Sequence, residues 1–203
     1  MADYTQSATQ TIISHQALTH PGMLEGTPVA CATYLSGTIT TRIANVETTA
    51  NATGVMVWVQ GSFETSGDDA WFNLATFRGS TTAAETEALN GGGEPQAETV
   101  IAVASTANLL VEDYIYIQDA SVVADGEWHY ITNVTTNTSI SIDYGLAVAK
   151  DDSDFIWTEA DCFICHLQDL GGLKRVNTIV VHEAATGSNL HVLSEGVFAT
   201  DLE

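Results

Sequence analysis

A chain of 203 residues with 26 acidic against five basic side chains, a formal charge of −21, repels the phosphate backbone of nucleic acids and the anionic face of a membrane. With 45% apolar and 15% charged residues it has the composition of a globular chain, long enough for one domain or two with adequate cores. No apolar run reaches the length of a membrane-spanning helix, and the opening MADYTQSATQ lacks the basic and apolar regions of an export signal, so the chain reads as made and kept in a cytoplasm.

Thr and Val are abundant, Pro occurs three times, and no apolar repeat of period 3.6 runs beyond two turns, which points to an all-β protein. Residues 1–27 read as an N-terminal arm, strand-like at TIISH and irregular through ALTHPGMLEGTP. Such an arm lies across a neighbouring subunit or tucks in as an edge strand. From Pro28, PVACATY and TITTRIANV form a pair about Ser36-Gly37, with Val29, Cys31 and Thr33 on one face, which makes Cys31 a small core residue.

GVMVWVQGSF (54–63) and AWFNLATFRG (70–79), joined by ETSGDD, are apolar on both faces and read as central strands of a packed double sheet. Their aromatics belong to a core rather than to a ligand platform. TTAAETEAL (81–89) is the one plausible helical turn, and LNGGGEPQ after it, with three glycines and a proline, reads as a domain boundary.

From Val100 to Tyr144 four short runs alternate apolar and polar residues: Thr99 to Val103, Tyr114 to Ile117, Trp128 to Val134 and Ser139 to Tyr144. A period of two places alternate side chains on opposite faces of a sheet. Ala107-Asn108, Asp125-Gly126 and Asn137-Thr138 supply the turns between them. Strands this short are stable only when closed on themselves, so they predict a small barrel. AVAKDDSDF is then an acidic return linker, and IWTEADCFICHLQDL, KRVNTIVVHEA and SNLHVLSEGVFAT supply three more strands with turns at Asp169–Gly172 and Ala184–Ser188. Three strands alone do not make a domain. They complete the sheets begun before Gly91, giving a β-sandwich of residues 28–92 and 156–203 interrupted by an inserted small β-barrel domain at 93–155.

Three constellations could carry chemistry. Cys162-Phe163-Ile164-Cys165-His166 matches C-x-x-C-H, the attachment signature of c-type haem, which needs both sulfurs on one side of the porphyrin and the histidine as axial ligand. The motif lies in an alternating run, and on a strand a spacing of three puts Cys162 and Cys165 on opposite faces, with Phe163, Cys165 and Leu167 inward. The same thiols could hold zinc only with two further ligands, for which His182 and His191 are the candidates. Asp151, Asp152 and Asp154, like Asp68 and Asp69, are oxygen clusters that could hold calcium, but neither follows the spaced D-x-D-x-D-G pattern of a dedicated loop. Three cysteines (Cys31, Cys162, Cys165) do not make a disulfide framework. No nucleophile elbow, phosphate-cradling glycine loop or H-E-x-x-H is present, His129 reads as a structural histidine, and a carboxylate-pair hydrolase would leave no signature of its own. No cofactor, metal or enzymatic activity is therefore expected.

The barrel segment, AETVIAVASTANLLVEDYIYIQD and GEWHYITNVTTNTSISIDYGL, resembles a small β module of structural proteins in tailed-phage virions. Leu109 to Asp113 stands for the module's GF-x-x-GD step, with Glu112 in place of its usual glycine, and Glu127-Trp128 and Asn137 to Ile142 match its later strands. GVMVWVQGSFETSGDDAWFNLATF resembles the β-sandwich strands of phage head and tail accessory proteins. The resemblance covers about three quarters of the chain and carries over no catalytic or binding residue. It implies a virion structural protein, with a capsid decoration (cement) protein that docks on the head shell as the leading expectation. Its partners would be the major capsid protein or other virion proteins and further copies of itself, with neither nucleic acid nor membrane. Assembly would take place in the host cytoplasm. The alternatives are a tail or spike component that binds host glycans or receptors through Trp128, Tyr114 and Tyr116, and a mono-haem electron carrier on Cys162, Cys165 and His166.

Overall fold

The computed structural model describes residues 4–19, 22–46, 53–67, 70–81, 86–183 and 189–201. Before residue 82 these form β1 (Tyr4–Gln6), β2 (Gln10–Thr19), β3 (Gly22–Glu25), β4 (Val29–Ala30), β5 (Ser36–Asn45), β6 (Thr53–Ser62) and β7 (Trp71–Thr81). The middle of the chain gives β8 (Thr86–Ala88), β9 (Val100–Ala102), β10 (Tyr114–Gln118), β11 (Glu127–Thr135), β12 (Ser139–Ile142) and β13 (Phe155–Thr158). The last part gives β14 (Asp161–Gln168), β15 (Arg175–His182) and β16 (Asn189–Asp201). Apart from one 3-10 turn at Val123–Asp125 the described residues contain no helix, so the fold is all-β, and among them no helix is long and apolar enough to cross a membrane.

Two five-stranded sheets face each other. The first runs β1-β16-β5-β14 with β2 also on β16, and the second runs β3-β15-β6-β7 with β4 also on β15. Alternation along the strands builds the core between them: Val55, Val57 and Val59 of β6 are buried against Ile39 and Ile43 of β5, Val180 of β15 and Val192 of β16. A chain of buried hydroxyls joins the sheets, from Thr41 through Ser194 (3.0 Å) to Thr178 (3.1 Å), so that polar atoms in the core satisfy one another. The Phe198 ring fills a slot where only glycine fits: a Cβ on Gly37 would stand 2.5 Å from it and one on Gly196 2.8 Å.

The arm does not reach outward. β2 pairs along β16, β3 pairs with β15 of the other sheet, and Ile12, Ile13 and Leu18 are core residues, so β2 and β3 are edge strands, one on each sheet.

The third sheet, in order β8-β13-β10-β11-β12-β9, closes into a barrel. Leu89 bridges Val103, Asn90 N–H donates to Ala102 O (3.1 Å) and Ala104 N–H to Ala88 O (3.0 Å), joining its two ends. Ile101, Ile115, Ile117, Ile131, Ile140 and Ile156 fill it. The four expected runs appear as β9 to β12, but the barrel has six strands, and two of them correct the reading of the sequence. Thr86–Ala88, expected in a helical turn, is strand β8 paired to β13, with residues 82–85 outside the described residues. The glycine run, expected as a domain boundary, lies inside the barrel, where Gly91, Gly92 and Gly93 turn the chain at φ 110°, 94° and 97°. β13, expected to belong in part to the sandwich, is likewise a barrel strand. Glu112 has φ 77°, the left-handed conformation that glycine adopts without steric cost, at the step where the resembling module carries glycine.

Candidate functional site

The barrel seats against one end of the first sheet, through a cluster of buried aromatic side chains. On β10, Ile115 and Ile117 face the barrel interior while Tyr116, between them, faces the sandwich; all three are buried. Its registered neighbours on either side are Trp128 of β11 and Trp157 of β13. These three rings pack with Ala44, Val46 and Leu193 of the sandwich, and Tyr116 stacks on His191 of β16 with centroids 4.3 Å apart.

Beside this cluster Arg42 of β5 spans both parts. Its guanidinium carbon lies 3.3 Å over the Tyr114 ring, and Nη1 donates to Glu159 Oε2 (2.6 Å) and approaches Cys162 Sγ at 3.7 Å. Burial raises the pKa of Glu159 above the usual carboxylate range even though Arg42 works to lower it. Burial, and then the Glu159 carboxylate, push the Cys162 thiol up to about 11, so it stays protonated and unreactive near neutrality. A polar pocket of about 470 Å³ opens next to the pair, lined by Arg42, Asn108, Glu112, Asp113, Tyr114, Thr158 and Glu159.

A second constellation lies in the barrel wall. Lys150, with its side chain fully buried, places Nζ 3.0 Å from Glu127 Oε1 and donates to Asp125 O (2.5 Å). Glu127 Oε2 accepts from Ala147 N–H (2.8 Å) and faces His129 Nε2 at 3.0 Å, while His129 Nδ1 faces Asp143 Oδ1 at 3.2 Å. Both ring nitrogens of His129 thus meet carboxylate oxygens. Burial acts to raise the pKa of Glu127, but the hydrogen bonds from His129 and Ala147 N–H and the Lys150 ammonium outweigh it and hold the carboxyl at about 2. Because the folded pKa lies below the ordinary 4.5, this group stabilises the fold above pH 4.5, and its contribution is lost as pH falls towards 2. At about 1.4 kcal/mol per pKa unit, a wild-type urea titration over that window should lose on the order of 3 kcal/mol that Glu127→Gln does not lose.

Cys162 and Cys165 lie on opposite faces of β14: Cys165 and Leu167 are in the sandwich core with Phe163 packed against it, whereas Cys162 faces Arg42 and Ile164 and His166 are exposed. The two sulfurs are therefore not presented to one face of a porphyrin. His166 instead pairs with Thr38 Oγ1 at 3.0 Å. The aspartates proposed for calcium are occupied by backbone donors. Asp154 accepts from Ala120 and Asp151 N–H (2.7 and 2.9 Å), Asp152 from Gly92 and Gly93 N–H (2.8 and 3.0 Å), and Asp151 from Ser153 N–H (2.7 Å). They brace the loop that leads into β13. Among the described residues no three His, Cys, Asp or Glu side chains converge as a metal site, His182 and His191 included; Asp68, Asp69 and the turn at 184–188 lie outside the described residues. The aromatic patch expected for glycan binding is corrected as well. Trp128 is 5% exposed and Tyr116 fully buried because both face the sandwich, and Tyr114 lies under Arg42.

Sequence reasoning missed Arg42, Glu159 and the Lys150 group. The available signal was scarcity, since a chain with five cations that places Arg42 within TITTRIANV and Lys150 beside AVA is using them for a partner.

No family model matches the chain and no curated protein matches it. Among solved structures it is similar to the SPBc2 prophage-derived protein YomS at 12% identity and a TM-score of 0.30, over 98% of this chain and 96% of that one. It is also similar to a chain of the T13 IBDV viral particle (10% identity, TM-score 0.27, 98% and 78% of the two chains) and to one of infectious bursal disease virus Gt strain (11%, 0.23, 100% and 83%). TM-scores of this size establish no common fold.

Proposed function

We propose that the chain is a non-enzymatic structural protein of a tailed-phage particle, namely a decoration protein that docks in many copies on the head shell. The observation that carries this reading is the junction. A barrel whose strands resemble a virion module is fixed to a sandwich by a buried aromatic cluster, a stacked histidine and the Arg42–Glu159 bridge. Such a two-part body keeps one shape when it spans neighbouring shell subunits, whereas a tethered barrel would swing. The barrel is a wall of that body rather than a projecting knob.

Charge supports the same reading. Arg42, Arg78 and Lys150 are paired with Glu159, Glu183 and Glu127, and Arg175 donates to Glu64 O and Gly67 O while lying over Trp71. These four of the five cations are thus engaged within the chain, while carboxylates such as Glu25, Glu64, Glu112, Asp143 and Asp169 are exposed. That surface is repelled by packaged DNA and drawn to a basic face on the outside of a shell.

Purified protein added to expanded heads that lack it should sediment with them saturably and raise the temperature at which they rupture. Heads that neither bind it nor gain stability would overturn the decoration role, and saturable binding to purified tails instead would move the protein to the tail.

A further inference from the structure

We infer that the outer face of the second sheet is a self-complementary surface, on which a second copy of this chain docks about a two-fold axis running along the strands; this rests on the two sheets and not on the virion reading. Alternation gives the location. Val55, Val57 and Val59 of β6 and Val176 and Val180 of β15 point into the core, so Met56, Trp58, Ile179 and Val181 point the other way. Register sets them side by side: Val181 pairs with Met56 and with Met23 of β3, and Ile179 pairs with Trp58. A solvated sheet face carries polar side chains, yet here five apolar ones form one block, with Met23 60% exposed and Met56, Trp58 and Val181 half-buried. The barrel packs on the outer face of the first sheet, at Ala44, His191 and Leu193, and among the described residues no strand lies over that of the second.

The charges on this face select the occupant. Across β3, β15, β6 and β7 they are Glu25, Arg175 and Arg78, with Glu183 next after β15. Two of the chain's five cations thus stand here against two carboxylates, a neutral patch on a chain of charge −21, so a second copy meets no like-charge repulsion at this face. The charges also sit at opposite edges. Arg78 on β7 lies in the row of Met56, Glu25 on β3 lies in the row of Ile179, and both are exposed. Three strand spacings, about 14 Å, separate β7 from β3. A two-fold axis between β6 and β15 lays β6 of one copy over β15 of the other and β7 over β3. Met56 and Trp58 then cover the second copy's Val181 and Ile179, and Arg78 reaches the edge that carries its Glu25. A two-fold contact requires each patch to meet its own complement, which this pattern supplies. Arg78 keeps a free donor for the purpose, since Glu183 takes only Nε and Nη2. Four strands and the eight residues of β15 give a footprint of about 500 Å² per copy, close to the roughly 1,000 Å² in total that a specific interface needs.

Sedimentation of the full-length chain over a concentration series tests this. The wild type should dimerise with a Kd on the order of 10 μM, as befits an interface at the small end of the range. Met23→Glu should weaken the dimer at least tenfold, and Leu110→Ser/Val111→Ser, on an exposed barrel loop, should leave it within twofold. Glu25→Arg and Arg78→Glu should each dimerise at least tenfold more weakly alone, yet recover wild-type affinity when the two proteins are mixed, because both edges then pair Arg with Glu. Circular dichroism verifies folding, and Met23→Glu decides by itself if a charge variant is damaged. Wild-type protein that stays monomeric up to about 1 mM would overturn the proposal. A dimer that Met23→Glu leaves intact would move the contact to another face and overturn it too. Charge variants that dimerise like the wild type, or a mixture no tighter than its components, would overturn the two-fold pairing.

Discussion

Lys150→Met should cost about 3–5 kcal/mol in urea unfolding at neutral pH, the typical cost when one partner of a buried ion pair is removed. The side chain of Lys150 is wholly inaccessible and that of Glu127 only 11% accessible, so no water replaces the lost ammonium. Glu127 would remain ionised against Ala147 N–H and His129 with its nearest cation gone. Two further outcomes separate this cause from simple loss of packing. In Lys150→Met/Glu127→Gln no uncompensated charge remains, while an amide oxygen can still accept from Ala147 N–H, so the double variant should be more stable than Lys150→Met alone. The deficit of the single variant should also shrink as pH is lowered, because its Glu127, without the ammonium, takes up a proton at a higher pH than in the wild type. A single variant within 1 kcal/mol of wild type would show that the pair contributes little.

The placement of this network bears on the whole body. Glu127 begins β11, Asp143 follows β12, and Lys150 reaches in from the loop before β13 to the carbonyl of Asp125. The ion network thus fastens the loop that closes the barrel to strands already paired in it. Trp128 and Tyr116, the neighbours of Glu127 and of Ile117, then present the opposite side of the same strands to the sandwich. Barrel closure and barrel docking therefore depend on the same few residues.

What could be read in the sequence was whatever a local period records. β9 to β12 appear where alternation placed them, and so does the inward set Phe163, Cys165 and Leu167 on β14, because a repeat of two fixes which side chains share a face. Partners distant in sequence were not legible. Thr86–Ala88 sits in a stretch rich in Ala and Glu whose helix propensity is overridden by the ladder to β13 and the bridge from Leu89 to Val103. The arm residues Ile12, Ile13 and Leu18 carry no sign of which sheet they cover. The aromatic patch failed for the same reason: alternation shows that Tyr116 and Trp128 point away from Ile115 and Ile131, but not whether water or a second sheet lies beyond them. Lys150 and Glu127, 23 residues apart, meet only because the barrel closes.

Tyr116→Ala should be as damaging as the lysine change, at about 3–5 kcal/mol, the usual range for truncating a fully buried aromatic side chain. Its particular effect should be on cooperativity. Tyr116 touches Trp128 within the barrel (5.7 Å between centroids) and His191 in the sandwich (4.3 Å), so it transmits packing from one part to the other. The barrel retains its own isoleucine core and the sandwich its own, which lets each survive loss of the other for a time. Calorimetry should therefore show one transition in the wild type and two in Tyr116→Ala. Tyr116→Phe, which keeps the ring between Trp128 and His191, should retain a single transition with a much smaller loss. Its hydroxyl lies over Gly126, where a Cβ would stand 1.9 Å from the oxygen, so Gly126→Ala should split the transition by pushing the ring off its seat. If Tyr116→Ala still unfolds in one step with near wild-type stability, the cluster does not couple the two parts, and a stiff two-part body, the physical basis for a shell-bridging protein, is lost with it.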